Sequence, residues 1–164
     1  MDGTLDQRQI QRLLYEGVYA LPESRRRDLM IRLFHVKDWL KTAEMPFEHY
    51  FIGKLSSKQQ KSLGVYDLPE TGSPFIAIGG LETTTYRRKQ VSLLIHWNKN
   101  QSETEETADA LFEWLMTASP DQIGGEKVYF VGMLVPQPQL IGTDDDGIYE
   151  AVIEFEIYYE RSHV

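Results

Sequence analysis

Chemistry in this chain would have to come from four histidines and a set of carboxylates. Their spacing argues against it. His35, His49, His96 and His163 are scattered, none three to five residues from another, and the chain has no cysteine. A zinc site, a thiolate ligand set and a cysteine nucleophile are therefore not expected. There is no Gly-rich loop ending in Lys-Ser or Lys-Thr, no dinucleotide fingerprint and no Gly-x-Ser-x-Gly elbow. Gly79-Gly80 and Gly124-Gly125 read as turns. Glu154 and Glu156 would share one strand face about 7 Å apart, a separation that invites comparison with a glycosidase pair. Nothing beside them in sequence singles out one as an acid, so they read as solvated. His96 falls on the polar face of its strand without an evident partner. Asp144-Asp145-Asp146-Gly147 imitates the start of a calcium loop, but no helix-loop-helix ligand spacing follows. The expectation is no catalytic, cofactor-binding or metal-ligating residue.

What remains is a pattern suited to contact. Arg25-Arg26-Arg27 reads as a solvated helix face. Arg87, Arg88 and Lys89 lie inside a strand, where they can pair across strands or across subunits with acidic residues at roughly 0.2 to 1 kcal/mol per pair. The acidic partners are a row near the C-terminus, Glu150, Glu154, Glu156 and Glu160. Val152 and Tyr158 interrupt that row, and apolar groups on a charged face are buried only against something else.

These residues need elements to hold them. Asp6 to Leu21 carries Ile10, Leu13, Leu14, Val18 and Leu21 at helical spacing, and Arg25 to Thr42 repeats the pattern with Leu29, Leu33, Val36 and Leu40. Pro46 ends that region. Phe47 to Pro74 has no clean period and reads as a long connection with an extended piece at His49 to Gly53 and a helical turn at Ser57 to Leu63. Phe75 to Ile78 suggests a short strand and Thr83 to Trp97 a long one, with Val91, Leu93, Ile95 and Trp97 on one face. Ser102 to Glu105 matches a capping box, followed by Ala108, Leu111, Phe112 and Leu115 on one stripe of a helix. Lys127 to Val135 reads as a strand whose far end Pro136 and Pro138 confine to an edge or bulge. In Ile148 to Arg161, a core set (Tyr149, Ala151, Ile153, Phe155, Ile157, Tyr159) alternates with the glutamate row. Asp146-Gly147 suits a tight turn before it. Short links between strands predict an α+β fold, a mainly antiparallel β-sheet with helices packed on one face as a two-layer sandwich. The expected organisation is one domain over 1–164, with helices in 1–45, a connection in 46–74 and the sheet-plus-helix core in 75–161.

Composition sets the outer limits. The chain has 164 residues, 41% of them hydrophobic and 26% charged, enough for a core without staples. No apolar run reaches the roughly 20 residues of a bilayer span, so no membrane association is expected. Residues 1–100 hold 15 basic and 11 acidic side chains, whereas 101–164 hold 2 and 14, within an overall net charge of -8. The acidic C-terminal part repels DNA phosphates and attracts basic partners.

Gln90-Val-Ser-Leu-Leu-Ile-His-Trp97, Glu105-Glu-Thr-Ala-Asp-Ala-Leu-Phe112, Gly132-Met-Leu-Val-Pro-Gln-Pro-Gln139 and Asp145-Asp-Gly-Ile-Tyr-Glu-Ala-Val-Ile-Glu-Phe-Glu-Ile-Tyr-Tyr159 together resemble the minor capsid and tail-terminator proteins of tailed bacteriophages. The resemblance covers about residues 75–161. It implies a non-enzymatic virion protein, assembled in the bacterial cytoplasm into a homo-oligomeric ring, commonly a hexamer. Such a ring docks on tail-tube or head-connector proteins and needs no cofactor. DNA passes through such a ring without specific binding, and acidic side chains facing the channel would keep phosphates mobile. The row Glu150, Glu154, Glu156 and Glu160 suits that position or, with Val152 and Tyr158, an interface. The rival expectations are a small ligand- or protein-binding domain, and an enzyme built on His96 with a carboxylate.

Overall fold

The computed structural model describes residues 30–161. The first expected helix, and the start of the second, lie outside them. What is described of the second is α1, Leu33–Leu40, which tightens into a 3-10 turn at Lys41–Ala43. Glu44 closes it in the left-handed region at φ 53°. Val36 and Leu40 are buried, as the stripe predicts.

Seven strands follow: β1 (His49–Ile52), β2 (Ser62–Asp67), β3 (Tyr86–His96), β4 (Gln122–Ile123), β5 (Glu126–Met133), β6 (Gln139–Thr143) and β7 (Tyr149–Glu160). The second helix, α2, is Gln101–Thr117. The sheet runs β1-β2-β3-β7-β5-β4, with β6 also on β7, and it curls. Only β1 and β2 are parallel; every other pair is antiparallel. The expected α+β class holds.

β7 is the spine. It pairs with β3 from Glu160 opposite Tyr86 to Glu150 opposite His96. Its other edge is shared end to end by β5, which reaches Met133 opposite Phe155, and β6, which starts with Gln139 opposite Val152. The excess chain between them bulges out around Pro136 and Pro138, where proline's missing N–H costs no ladder bond. Leu134 N still donates to the Glu154 carbonyl at 2.9 Å.

The core forms because alternate residues of β3 and β7 face the helices. Val91, Leu93, Ile95, Ile153, Phe155 and Ile157 are fully buried there. α2 packs on β7, β5 and β3, and α1 on β1, β2 and β4. Trp39 of α1 meets Trp114 of α2 at 5.1 Å between ring centroids and Phe155 at 6.1 Å, so three aromatic rings join both helices to the sheet. The His35 ring lies 2.5 Å from where a Cβ on Gly124 would stand. Gly124 also has φ +62°, so this turn requires glycine twice over.

Four local expectations are corrected. The connection over 46–74 contains two strands, and Ser62–Asp67 is β2 where a helical turn was expected to run to Leu63. Gly64 interrupts the sequence pattern, and a Cβ there would stand 2.6 Å from the Tyr66 ring, which would have to shift. Phe75 to Ile78 is no strand. Its backbone serves a loop instead, Ala77 N donating to Thr84 Oγ1 at 3.1 Å and Gly80 N to Ala77 O at 2.8 Å. The N-cap of α2 is Asn100, whose side chain accepts from Glu103 N at 3.3 Å. Ser102 lies inside the helix, and the expected box is superseded by a cap two residues earlier. The continuous strand expected from Lys127 on ends at Met133, short of Val135, and a further strand, β6, follows the bulge.

Candidate functional site

Alternation along β3 and β7 that buries one face leaves a second, and neither helix covers it among the described residues. That face carries the acidic row: Glu150, Val152, Glu154, Glu156 and Tyr158 are half-buried and Glu160 is exposed. Opposite them on β3 stand His96, Leu94, Ser92, Gln90, Arg88 and Tyr86.

The basic trio is divided by the same alternation. Arg88 lies on this face; its bond to the Tyr158 hydroxyl is the main cause that raises its pKa, with Glu70 at 3.0 Å and Glu156 at 3.6 Å adding to it. Gln90 Nε2 donates to Glu156 at 3.2 Å. Arg87 and Lys89 belong to the opposite face. Arg87 meets the Tyr159 hydroxyl, and Lys89 pairs with Asp67. The three do not form one cluster, and only Arg88 meets the glutamate row within the chain.

At one end of the face the side chains turn aromatic. Phe130 stacks on Tyr158 with centroids 4.3 Å apart and planes at 19°. Tyr158 lies 5.7 Å from Tyr86, and Tyr86 lies 5.1 Å from Phe75. The two ends of this run, Phe130 and Phe75, are 52% and 66% exposed. Phe75 belongs to the long β2–β3 connection, which also exposes Ile76, Ile78 and Leu81. Arg161, just past β7, anchors the base of this arm by donating to the carbonyls of Leu81 and Thr84. The sequence pointed to Tyr158 but not to Phe130. A bulge between Val128 and Phe130 turns Phe130 toward Tyr158, and bulges leave no mark in a simple alternation.

The other end is polar. His96 is wholly buried, contrary to the partnerless position expected for it. Its Nδ1 donates to the Gln59 carbonyl at 2.9 Å. Its Nε2 lies 2.8 Å from Asp144 Oδ2 and 4.0 Å from Glu150 Oε1. The hydrogen bond with His96 holds the Asp144 carboxyl below its usual range, helped by the backbone N–H groups of Ile148 and Asp146. Burial pushes Glu150 up, and the neighbouring Asp144 adds to this against the opposing pull of His96. These three are the residues that could hold a metal ion among those described. The sequence hid them because 48 residues separate His96 from Asp144. Only the β3–β7 register and the turn before β7 bring them together.

The fold and this face define a scaffold for contact: a helix-backed sheet presenting aromatic and acidic side chains outward. Comparison with known families places it further. A family model described as bacteriophage tail terminator protein matches residues 17–161. The chain belongs to that family, a structural and non-catalytic kind of protein, and so has a structural role in the phage tail. No curated protein matches the chain significantly.

Proposed function

We propose that this chain closes the phage tail as a homo-oligomeric ring. Copies would pack through the aromatic end of the uncovered sheet face, and the ring would dock on the tail tube or head connector in the virion. The observation that carries this reading is the aromatic run Phe130, Tyr158, Tyr86 and Phe75, exposed at its two ends, because rings stacked at a surface are the side chains that dominate protein interfaces. The charge distribution supports it. A closed ring uses a head-to-tail contact between two unlike patches, and the chain carries an excess of base in residues 1–100 and an excess of acid in 101–164 from which such patches can be drawn. Val152 lies on the same face as an apolar contact, and Arg88 sits between the aromatic and acidic ends. Glu154, Glu156 and Glu160 then face the channel and keep DNA from adhering, while Glu150 lies against the buried His96.

The test is the double variant Phe130→Ser with Tyr158→Ser, checked by circular dichroism for an intact fold. Ring formation is measured by native mass with and without tail tubes. Loss of rings and of tube capping in a folded variant is the expected result. A folded variant that caps tubes as well as the parent would overturn the assignment.

A further inference from the structure

We propose that His96, Asp144 and Glu150 form a binding site for one divalent transition-metal ion, with zinc the best match to one imidazole and two carboxylates.

The His96 ring is held in one orientation by its backbone partner. A carbonyl oxygen only accepts, so Nδ1 must carry the hydrogen in its bond to Gln59 O at 2.9 Å. Gln59 O is itself fixed, accepting from Ser62 Oγ at 2.8 Å. A ring nitrogen anchored to a backbone carbonyl is the outer-shell arrangement that metal-ligating histidines adopt, with the other nitrogen's lone pair aimed at the metal. Here Nε2 is aimed at two carboxylates.

Two carboxylates face this one imidazole nitrogen. At 2.8 Å, Nε2 and Asp144 Oδ2 stand at hydrogen-bond distance, the contact a proton fills when no ion is bound. A proton would satisfy that one contact and leave Glu150 Oε1, 4.0 Å from Nε2, outside it. A divalent ion engages both carboxylates and balances their charge.

Geometry agrees. The three ligand atoms lie within 4.8 Å of one another. Around a tetrahedral ion with bonds of about 2.0 to 2.2 Å, ligand atoms stand roughly 3.4 Å apart. Rotations of Asp144 and Glu150, whose side chains keep 16% and 20% exposure while His96 has none, must widen the 2.8 Å Nε2–Oδ2 contact and close the longer ones. That partly open side leaves the fourth position to water. The ion would fasten the end of β3 to the start of β7 and to the turn before it, with Gln59 of the β1–β2 connection held behind. Tyr66 of β2 is a further titratable group that interacts with Glu150.

The experiment titrates the full chain with zinc chloride in chelator-free buffer, measured by calorimetry and thermal unfolding. One ion per chain is expected, with the unfolding midpoint rising by roughly 5 to 10 °C at a hundredfold excess over Kd. Glu150→Gln and Asp144→Asn should each weaken zinc binding at least tenfold. The second keeps the Oδ1 that accepts from Asp146 N and Ile148 N, so the turn survives. In imidazole nitrogen NMR, zinc should move the His96 Nε2 resonance while Nδ1 stays protonated. Absence of stoichiometric binding, binding unchanged in both variants, or a His96 spectrum that ignores zinc would each overturn the proposal. The charge between Nε2 and Asp144 would then be a proton alone.

Discussion

Tyr159 shows how a single residue couples fold and solution conditions. It is buried at the end of the core face, and its oxygen accepts from the Ile31 backbone N–H and from Arg87. Burial raises its pKa above 10.0, although those two donors pull the other way. The folded state therefore keeps the phenol proton at a pH where the unfolded chain has begun to lose it. The stability this contributes is complete below the unfolded value near 10 and disappears as pH climbs through the higher folded value. Tyr159→Phe is expected to cost about 1 to 3 kcal/mol at neutral pH by leaving two donors without their acceptor. It should also flatten the alkaline decline. Urea midpoints from about pH 7 to pH 11 measure both effects, and an alkaline slope equal to the parent's would contradict the assignment to Tyr159. At this scale the sequence was partly legible. It placed Tyr159 on the core face by alternation, but it could not reveal that the phenol oxygen meets residue 31, more than a hundred positions away in the chain.

Among the elements, β7 and α2 were readable because long, regular patterns leave little choice of face. The alternation from Tyr149 to Tyr159 and the stripe Ala108, Leu111, Phe112 and Leu115 both appear in the structure as buried sets. β2 was not readable. It is short, Gly64 breaks its pattern, and what makes it a strand is pairing with β3 and β1. Phe75 to Ile78 failed in the opposite sense: it has the composition of a strand but no partner strand, and its polar backbone groups are answered by Thr84 and Gly80. The His96 cluster was invisible for the same reason, since distance along the chain conceals contacts made by strand register. β7 pairs with β3 on one side and with β5 and β6 on the other and carries α2 on its core face, so Phe155→Ala should be among the most damaging single truncations, at about 3 to 5 kcal/mol. Chemical denaturation would check this, and a loss under about 1 kcal/mol would mean that Phe155 does not hold α1 and α2 to the sheet.

For the whole molecule, the proposed channel assignment depends on charge more than shape. Replacing Glu154 and Glu160 by lysine reverses two signs on the uncovered face while leaving Arg88 with Glu156 and His96 with Glu150. Particles assembled with this variant should release DNA more slowly, and the delay should shrink as salt is added, because attraction to phosphate is screened over about 8 Å at physiological ionic strength. Ejection kinetics at low and high salt measure it. Unchanged kinetics would remove these glutamates from the channel wall.

The divided outer edge of β7 carries its own lesson about self-association. A long, unbroken border strand invites another sheet to zip onto it without limit. Among the described residues that border is β5, overlaid at one end by the two-residue β4, and β6 beyond a proline-bearing kink, and the opposite border, β1, has only four residues. A molecule built this way is poorly suited to grow into fibres through its backbone. Recognition between copies is left to side chains, which can specify an angle and therefore a finite number of neighbours.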